Sequence, residues 1–151
     1  MQRINRLVST VFGIGYFPFG PGTVTAAIVT LAWYFFAKSH PENTWQILVV
    51  LISTIVGIYC SNEVSRISGK DPSFVVIDEW AGMCIALLFI PPTIPNFSIA
   101  LLLFRFFDIA KPLGIRKLES WKGGWGVMSD DILAGIYSNF VLRLILALKL
   151  W

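Results

Sequence analysis

Five apolar runs, at residues 24–37, 45–60, 80–90, 98–107 and 132–150, take up nearly half of this chain, and most of its charges fall at the junctions between them. That pattern leaves few folds open. Of 151 residues, 56% are hydrophobic and only 14% charged, where a soluble domain carries about a quarter charged. So much apolar surface is stable mainly against lipid, so one membrane-embedded domain over residues 1–151 is expected. The runs lack strict alternation, which favours helices over strands. The predicted fold is therefore all-α, a polytopic membrane bundle of about four to five apolar helices.

Several runs are shorter than the roughly 20 residues that a perpendicular span needs. The third and fourth are the shortest, and Pro91-Pro92-Thr93-Ile94-Pro95 joins them. They are expected to form a short helical hairpin, either two spans with polar ends in the interface or a pair that dips partway. Pro41, Gly69 with Pro72, and Gly123, Gly124 and Gly126 mark other boundaries. Cys60 and Cys84 lie in apolar surroundings and read as reduced core residues. Arg3 and Arg6 precede apolar residues as in a signal peptide, but Pro18, Gly20, Pro21 and Gly22 interrupt that stretch. No small-x-small cleavage site follows, so the N-terminus is expected to be retained.

Counting reversals assigns sides. The N-terminal stretch and the loops 61–77 and 108–131 share one face; residues 38–44, 91–97 and the C-terminus share the other. The first face carries Arg3, Arg6, Arg66, Lys70, Lys111, Arg116, Lys117 and Lys122, with Arg105 just inside, against Lys38 and Lys149 on the second. Positive residues stay inside, so the first face is expected to be cytoplasmic. Trp45 and Trp151 then mark the far boundary, Trp121 and Trp125 the near one. The basic residues are spread through loops and form no nucleic-acid footprint, so no nucleic-acid partner is expected.

The acids Glu63, Asp71, Asp78, Glu79, Asp108, Asp130 and Asp131 fall on that same face. Carboxylates in so apolar a chain usually hold a metal, move a proton or bind a cation. Asp78-Glu79-Trp80-Ala81-Gly82 and Asp131-Ile132-Leu133-Ala134-Gly135 both read D-x-x-A-G. Each would put an acid at a helix start, where the dipole favours it, and one turn later a glycine that lets a neighbour approach. Coincidence is the other account of the echo. Arg105, Asp108 and Lys111 recur at i, i+3 and i+6, one helical face reading plus, minus, plus.

Such oxygen donors suit Mg²⁺, and Arg and Lys beside them suit a phosphate group. Gly20-Pro21-Gly22-Thr23 opens the first long helix, either as an anion site or as a plain turn. Gly123-Gly124-Trp125-Gly126 follows no strand and reads as a mobile loop that places Asp130 and Asp131. His40, the one histidine, falls on the opposite face, which excludes a His-based triad, a phosphohistidine enzyme or a zinc site. The C-x5-R spacing from Cys60 to Arg66 lacks glycines, and Glu63 within it would repel a phosphate. Two classes remain: carboxylate–metal chemistry on a phosphorylated membrane substrate, or a small divalent-cation transporter or channel whose acids line an ion path.

At these residues the chain resembles the phosphatidylglycerophosphatase A family. That family's P-G-T, D-E-x-x-G, F-R-x-x-D-x-x-K-P and G-G-x-G-x-M-x-D-D-x-x-A-G appear in order. They stand here as Pro21-Gly22-Thr23, Asp78 to Gly82, residues 104–112 and residues 123–135. Several long motifs in order are far more specific than one. Two departures are Val24-Thr25-Ala26, where the family usually has x-G-S, and Lys111-Pro112-Leu113-Gly114-Ile115, where it has K-P-x-P-I. The resemblance implies a Mg²⁺-dependent phosphatase of the bacterial inner membrane that converts phosphatidylglycerophosphate to phosphatidylglycerol. Asp78, Glu79, Asp130 and Asp131 are then expected to ligate one or two Mg²⁺ ions. Asp108, Lys111 and Arg105 are the expected catalytic residues, and Gly22, Thr23, Arg105, Lys111 and Arg116 the substrate contacts. Asp108 has three open roles: base for a water, nucleophile, or partner that orders Lys111.

Overall fold

The computed structural model describes residues 2–69 and 72–149. Lys70, Asp71 and Trp151, assigned above to the near loop and the far aromatic belt, lie outside the described residues. Among the described residues the fold is all-α, with seven helices: α1 (Gln2–Ser9), α2 (Pro21–Ser39), α3 (Thr44–Ser68), α4 (Ile77–Leu87), α5 (Ile94–Ala110), α6 (Ile115–Leu118) and α7 (Gly124–Ala147). A 3-10 turn at Ile14–Tyr16 follows α1.

Local chemistry sets the ends. Gly20 takes a left-handed φ of 57°, and Pro21, whose ring presets a helical φ, opens α2. Thr93 caps α5 by accepting from the Asn96 N–H. Where α4 stops, the carbonyls of Ile85, Ala86 and Leu88 share the two protons of the Asn139 side-chain amide of α7, and Arg143 adds a second donor to Leu88.

The short α4 is the hub, packing on α2, α3, α5 and α7. Its Met83, Cys84, Ala86 and Leu87 are fully buried, together with Phe104 of α5, Ile115 of α6 and Leu142 of α7. The two D-x-x-A-G glycines meet across α4 and α7: a Cβ on Gly82 would lie 2.5 Å from the Asp131 carbonyl oxygen, and one on Gly135 would collide with the Gly82 carbonyl. Only hydrogen at both positions allows backbones this close. Cys60 and Cys84 are free and buried, as expected.

The outside is apolar. Leu31 and Phe35 of α2, Leu51, Ile52 and Ile55 of α3, Leu102 and Phe106 of α5, and Phe140 of α7 are exposed. That is more contiguous apolar surface than a water-facing monomer tolerates. Of the described helices, α3 alone is long and apolar enough to cross a membrane by itself, fewer than the four or five apolar helices expected above.

Other expectations need correction. The run 45–60 continues as helix to Ser68, so Glu63 and Arg66 lie on α3, ion-paired to each other, rather than in a loop. Residues 2–9 form a helix that the apolar runs did not reveal. The glycines at 123–126 are no mobile loop. Gly123 caps α7 and Gly124 begins it, because a Cβ at Gly124 would collide with the Ile58 carbonyl of α3. Consequently Asp131 sits two turns into α7, not at its start.

Candidate active site

Three helices bring charge to one point, and a fourth packs against it. Asp78 and Glu79 occupy the first turn of α4, and Asp78 Oδ1 accepts from the Glu79 N–H at 3.1 Å, using a helix-start donor that would otherwise be orphaned. The Gly82–Gly135 approach draws α7 inward and carries Asp131 to the same place. One oxygen from each of Asp78, Glu79 and Asp131 lies within 4.8 Å of the others. Asp108, near the end of α5, neighbours Asp131 and takes an ion pair from Arg105, one turn back on its own helix. Gly22, at the start of α2, abuts Glu79 so closely that a Cβ there would overlap Glu79 Oε1.

Beside this cluster stands a second one. Lys111 follows α5 with a left-handed φ of 47°, a conformation that favours glycine. A lysine held there has a use for its side chain. Its Nζ donates to Asp130 at 2.5 Å and to Glu119 at 2.6 Å. Burial alone would weaken the lysine's hold on its proton, but those two carboxylates outweigh it and raise its pKa well above the ordinary value. An ammonium has three donors, so one is left beyond these two pairs.

Glu79 tends the other way from a free carboxylate. Burial raises its pKa, and the nearby Asp108 charge adds to the rise, against hydrogen bonding with Asp78 and the attraction of Arg105. Glu79 Oε2 and Arg105 Nε are buried with no hydrogen-bond partner. Carboxylates crowded this closely cannot all ionise unless a cation joins them. All the available donors are oxygens, with no His or Cys among them. That set fits a hard cation such as Mg²⁺, and the unpartnered Glu79 oxygen is the atom such a cation would satisfy.

The structure thus brings together Asp78, Glu79, Asp108, Asp131 and Arg105, with Gly22 against Glu79. Asp130 neighbours Asp131 on the chain but turns to Lys111. Thr23 is exposed one residue beyond Gly22, and Arg116 is exposed on α6. Glu119, the second partner of Lys111, was not singled out from the sequence. Its signal was faint: a lone acid in a basic loop.

Comparison with known proteins follows this geometry. Residues 7–146 match the family described as Phosphatidylglycerophosphatase A. A Bacteroides thetaiotaomicron protein, provisionally named phosphatidylinositol-3-phosphatase, is 43% identical over 142 residues, covering 90% of this chain and 89% of that one. Proteins named Phosphatidylglycerophosphatase A from Escherichia coli and Haemophilus influenzae are 33% and 31% identical, covering 93% and 97% of this chain and 82% and 89% of theirs. No solved structure matches.

Proposed function

This chain belongs to the phosphatidylglycerophosphatase A family, and we propose that it hydrolyses phosphatidylglycerophosphate to phosphatidylglycerol and phosphate at the carboxylate cluster. As a member it is a lipid phosphomonoesterase of the membrane. The observation that carries the reading is the convergence of Asp78, Glu79 and Asp131 within 4.8 Å, with Arg105, Asp108 and Lys111 beside them.

Asp78, Glu79 and Asp131 would hold Mg²⁺, which when bound polarises the phosphoryl oxygens and offsets their charge as the ester bond breaks. Arg105 orients Asp108 through one end of its guanidinium and presents its unpartnered Nε to a phosphate oxygen. Lys111 offers its remaining ammonium proton to another. Asp130 and Glu119 hold that ammonium charged and in place, so we assign Asp130 to positioning Lys111 rather than to the metal. Asp108 takes the proton of the attacking water; a phosphate trapped covalently on Asp108 by acid quench would make it the nucleophile instead. Gly22 admits Glu79 to the start of α2, and Thr23 and Arg116 line the approach of the head group. Family membership supports a bacterial inner membrane, and the positive-inside count supports a site facing the cytoplasm.

A second substrate, phosphatidylinositol 3-phosphate, is favoured by the name of the Bacteroides relative. A cation path would need acids spread through the membrane depth, whereas these gather at the start of α4, the end of α5 and the N-terminal part of α7. The deciding experiment measures phosphate release from both lipids by detergent-purified protein, with Mg²⁺, with chelator, and with Asp131→Asn. Chelation and Asp131→Asn are each expected to slow release about a hundredfold or more, equivalent to about 2.7 kcal/mol of transition-state stabilisation. Release indifferent to both would remove the metal from the mechanism; no release from either lipid would remove the reaction.

A further inference from the structure

Helices α2 and α3 are consecutive, long and apolar, and each packs on α4, yet the two make little contact with each other along their lengths. Between them runs an apolar groove of about 200 Å³, with Ala32 of α2 and Val49 of α3 as walls and Trp80 of α4 as floor. At its far end Trp33 and Phe36 close on Trp45, each with its ring centroid 4.7 Å from that indole. At its near end the floor residue Trp80 directly follows Glu79, and the start of α2 abuts Glu79 at Gly22. From Gly22 to Trp33 the helix advances roughly 17 Å at its usual rise.

We propose that this groove holds one acyl chain of the lipid substrate, with Trp33, Phe36 and Trp45 as its end stop. The inference rests on the lipid phosphomonoesterase reading above. Three observations select the occupant. Its floor residue Trp80 directly follows Glu79 in the chain, so a lipid seated on Asp78, Glu79 and Asp131 can lay its tail toward the groove. Its volume of about 200 Å³ is below that of one helical turn roughly 10–12 Å across, while an apolar cavity of about 150 Å³ already holds a benzene molecule. Its rim, at Ala32 and Phe36, is exposed and continuous with the apolar outer surface of α2, so a chain can enter sideways from the bilayer. The aromatic stop makes the groove a ruler: a chain longer than the distance to Trp45 must leave it.

The test uses the full-length protein in detergent and phosphatidylglycerophosphates with hexanoyl or hexadecanoyl chains. Ala32→Trp fills the groove from an exposed position that the core does not depend on. It is expected to lower the ratio of kcat/KM for the long-chain over the short-chain substrate by about tenfold or more, because each buried methylene contributes to binding. Trp45→Ala is expected to shift the preference toward longer chains. In a separate arm that needs no turnover, phosphatidylglycerophosphate with a photoactivatable group at its chain terminus should label peptides within residues 29–49. An unchanged ratio in Ala32→Trp, or label confined to outward residues such as Leu102 and Phe140, would overturn the groove. Failure of the unaltered protein to hydrolyse either substrate would instead overturn the reaction, and the labelling would still report on the groove.

Discussion

Replacing Gly82 with alanine asks whether the spacing of α4 and α7 sets the chemistry. The new Cβ would lie 2.5 Å from the Asp131 carbonyl oxygen and 2.7 Å from Phe104 Cε2. Ordinary contact needs about 3.5 Å, so both neighbours must give. The Asp131 carbonyl is backbone, so relieving it moves α7 back by roughly 1 Å and carries Asp131 away from Asp78 and Glu79. Phe104 is fully buried, so relieving it also displaces α5. A displacement of about 1 Å at reacting groups costs on the order of a hundredfold in rate. Stability should move much less: overpacking costs about 1–3 kcal/mol, and alanine returns up to about 1 kcal/mol of helix propensity. Phosphate release at saturating Mg²⁺, measured beside thermal unfolding, separates the two effects. A large rate loss with a small drop in Tm is expected. Full activity in a protein measurably destabilised by the substitution would refute the claim that this contact places the ligands.

Three further outcomes follow from the same geometry. Lys111→Met leaves Asp130 and Glu119 facing each other without their cation. Because the lysine side chain is partly exposed, the loss should be about 1–3 kcal/mol, below the range for a fully buried pair, with a fall in kcat. Since the folded state raises the Lys111 pKa, its stabilisation is complete below the ordinary lysine range. It is lost only as pH climbs through the higher folded value, so the Tm difference between wild type and Lys111→Met should be constant from about pH 7 to 9. Asn139→Leu removes the donor to three carbonyls at the end of α4 and should cost about 1–3 kcal/mol in chemical unfolding, with kcat nearly unchanged.

Much of this was legible in one dimension. The length and apolarity of the runs require helices in any solvent poor in water, and the all-α result follows. The acidic clustering was visible because turns between apolar runs place charges at predictable ends. The boundaries were less legible. Apolar composition cannot see a helix that continues past its greasy part, so α3 was cut at Cys60 when it runs to Ser68, and α7 was started several residues late. The glycines at 123–126 were misread for a related reason. Beside an unknown neighbour a glycine signals freedom, whereas here Gly124 lies against the Ile58 carbonyl and its lack of a side chain is what fastens α7 to α3. Asn139 and Arg143 gave no signal at all, because their partners are backbone carbonyls on another helix.

The sequence alone determined that this chain is a bundle of helices, that its carboxylates gather on one side, and that it belongs to a known family of lipid phosphatases. Which carboxylates act together was decided only by the tertiary structure. Asp130 and Asp131 are adjacent in the chain, but successive residues on a helix point about 100° apart. One therefore meets Lys111 and the other meets Asp78 and Glu79. That division depends on how far α7 sits from α4 and how it is rotated, and both are set by glycine contacts between residues about fifty positions apart.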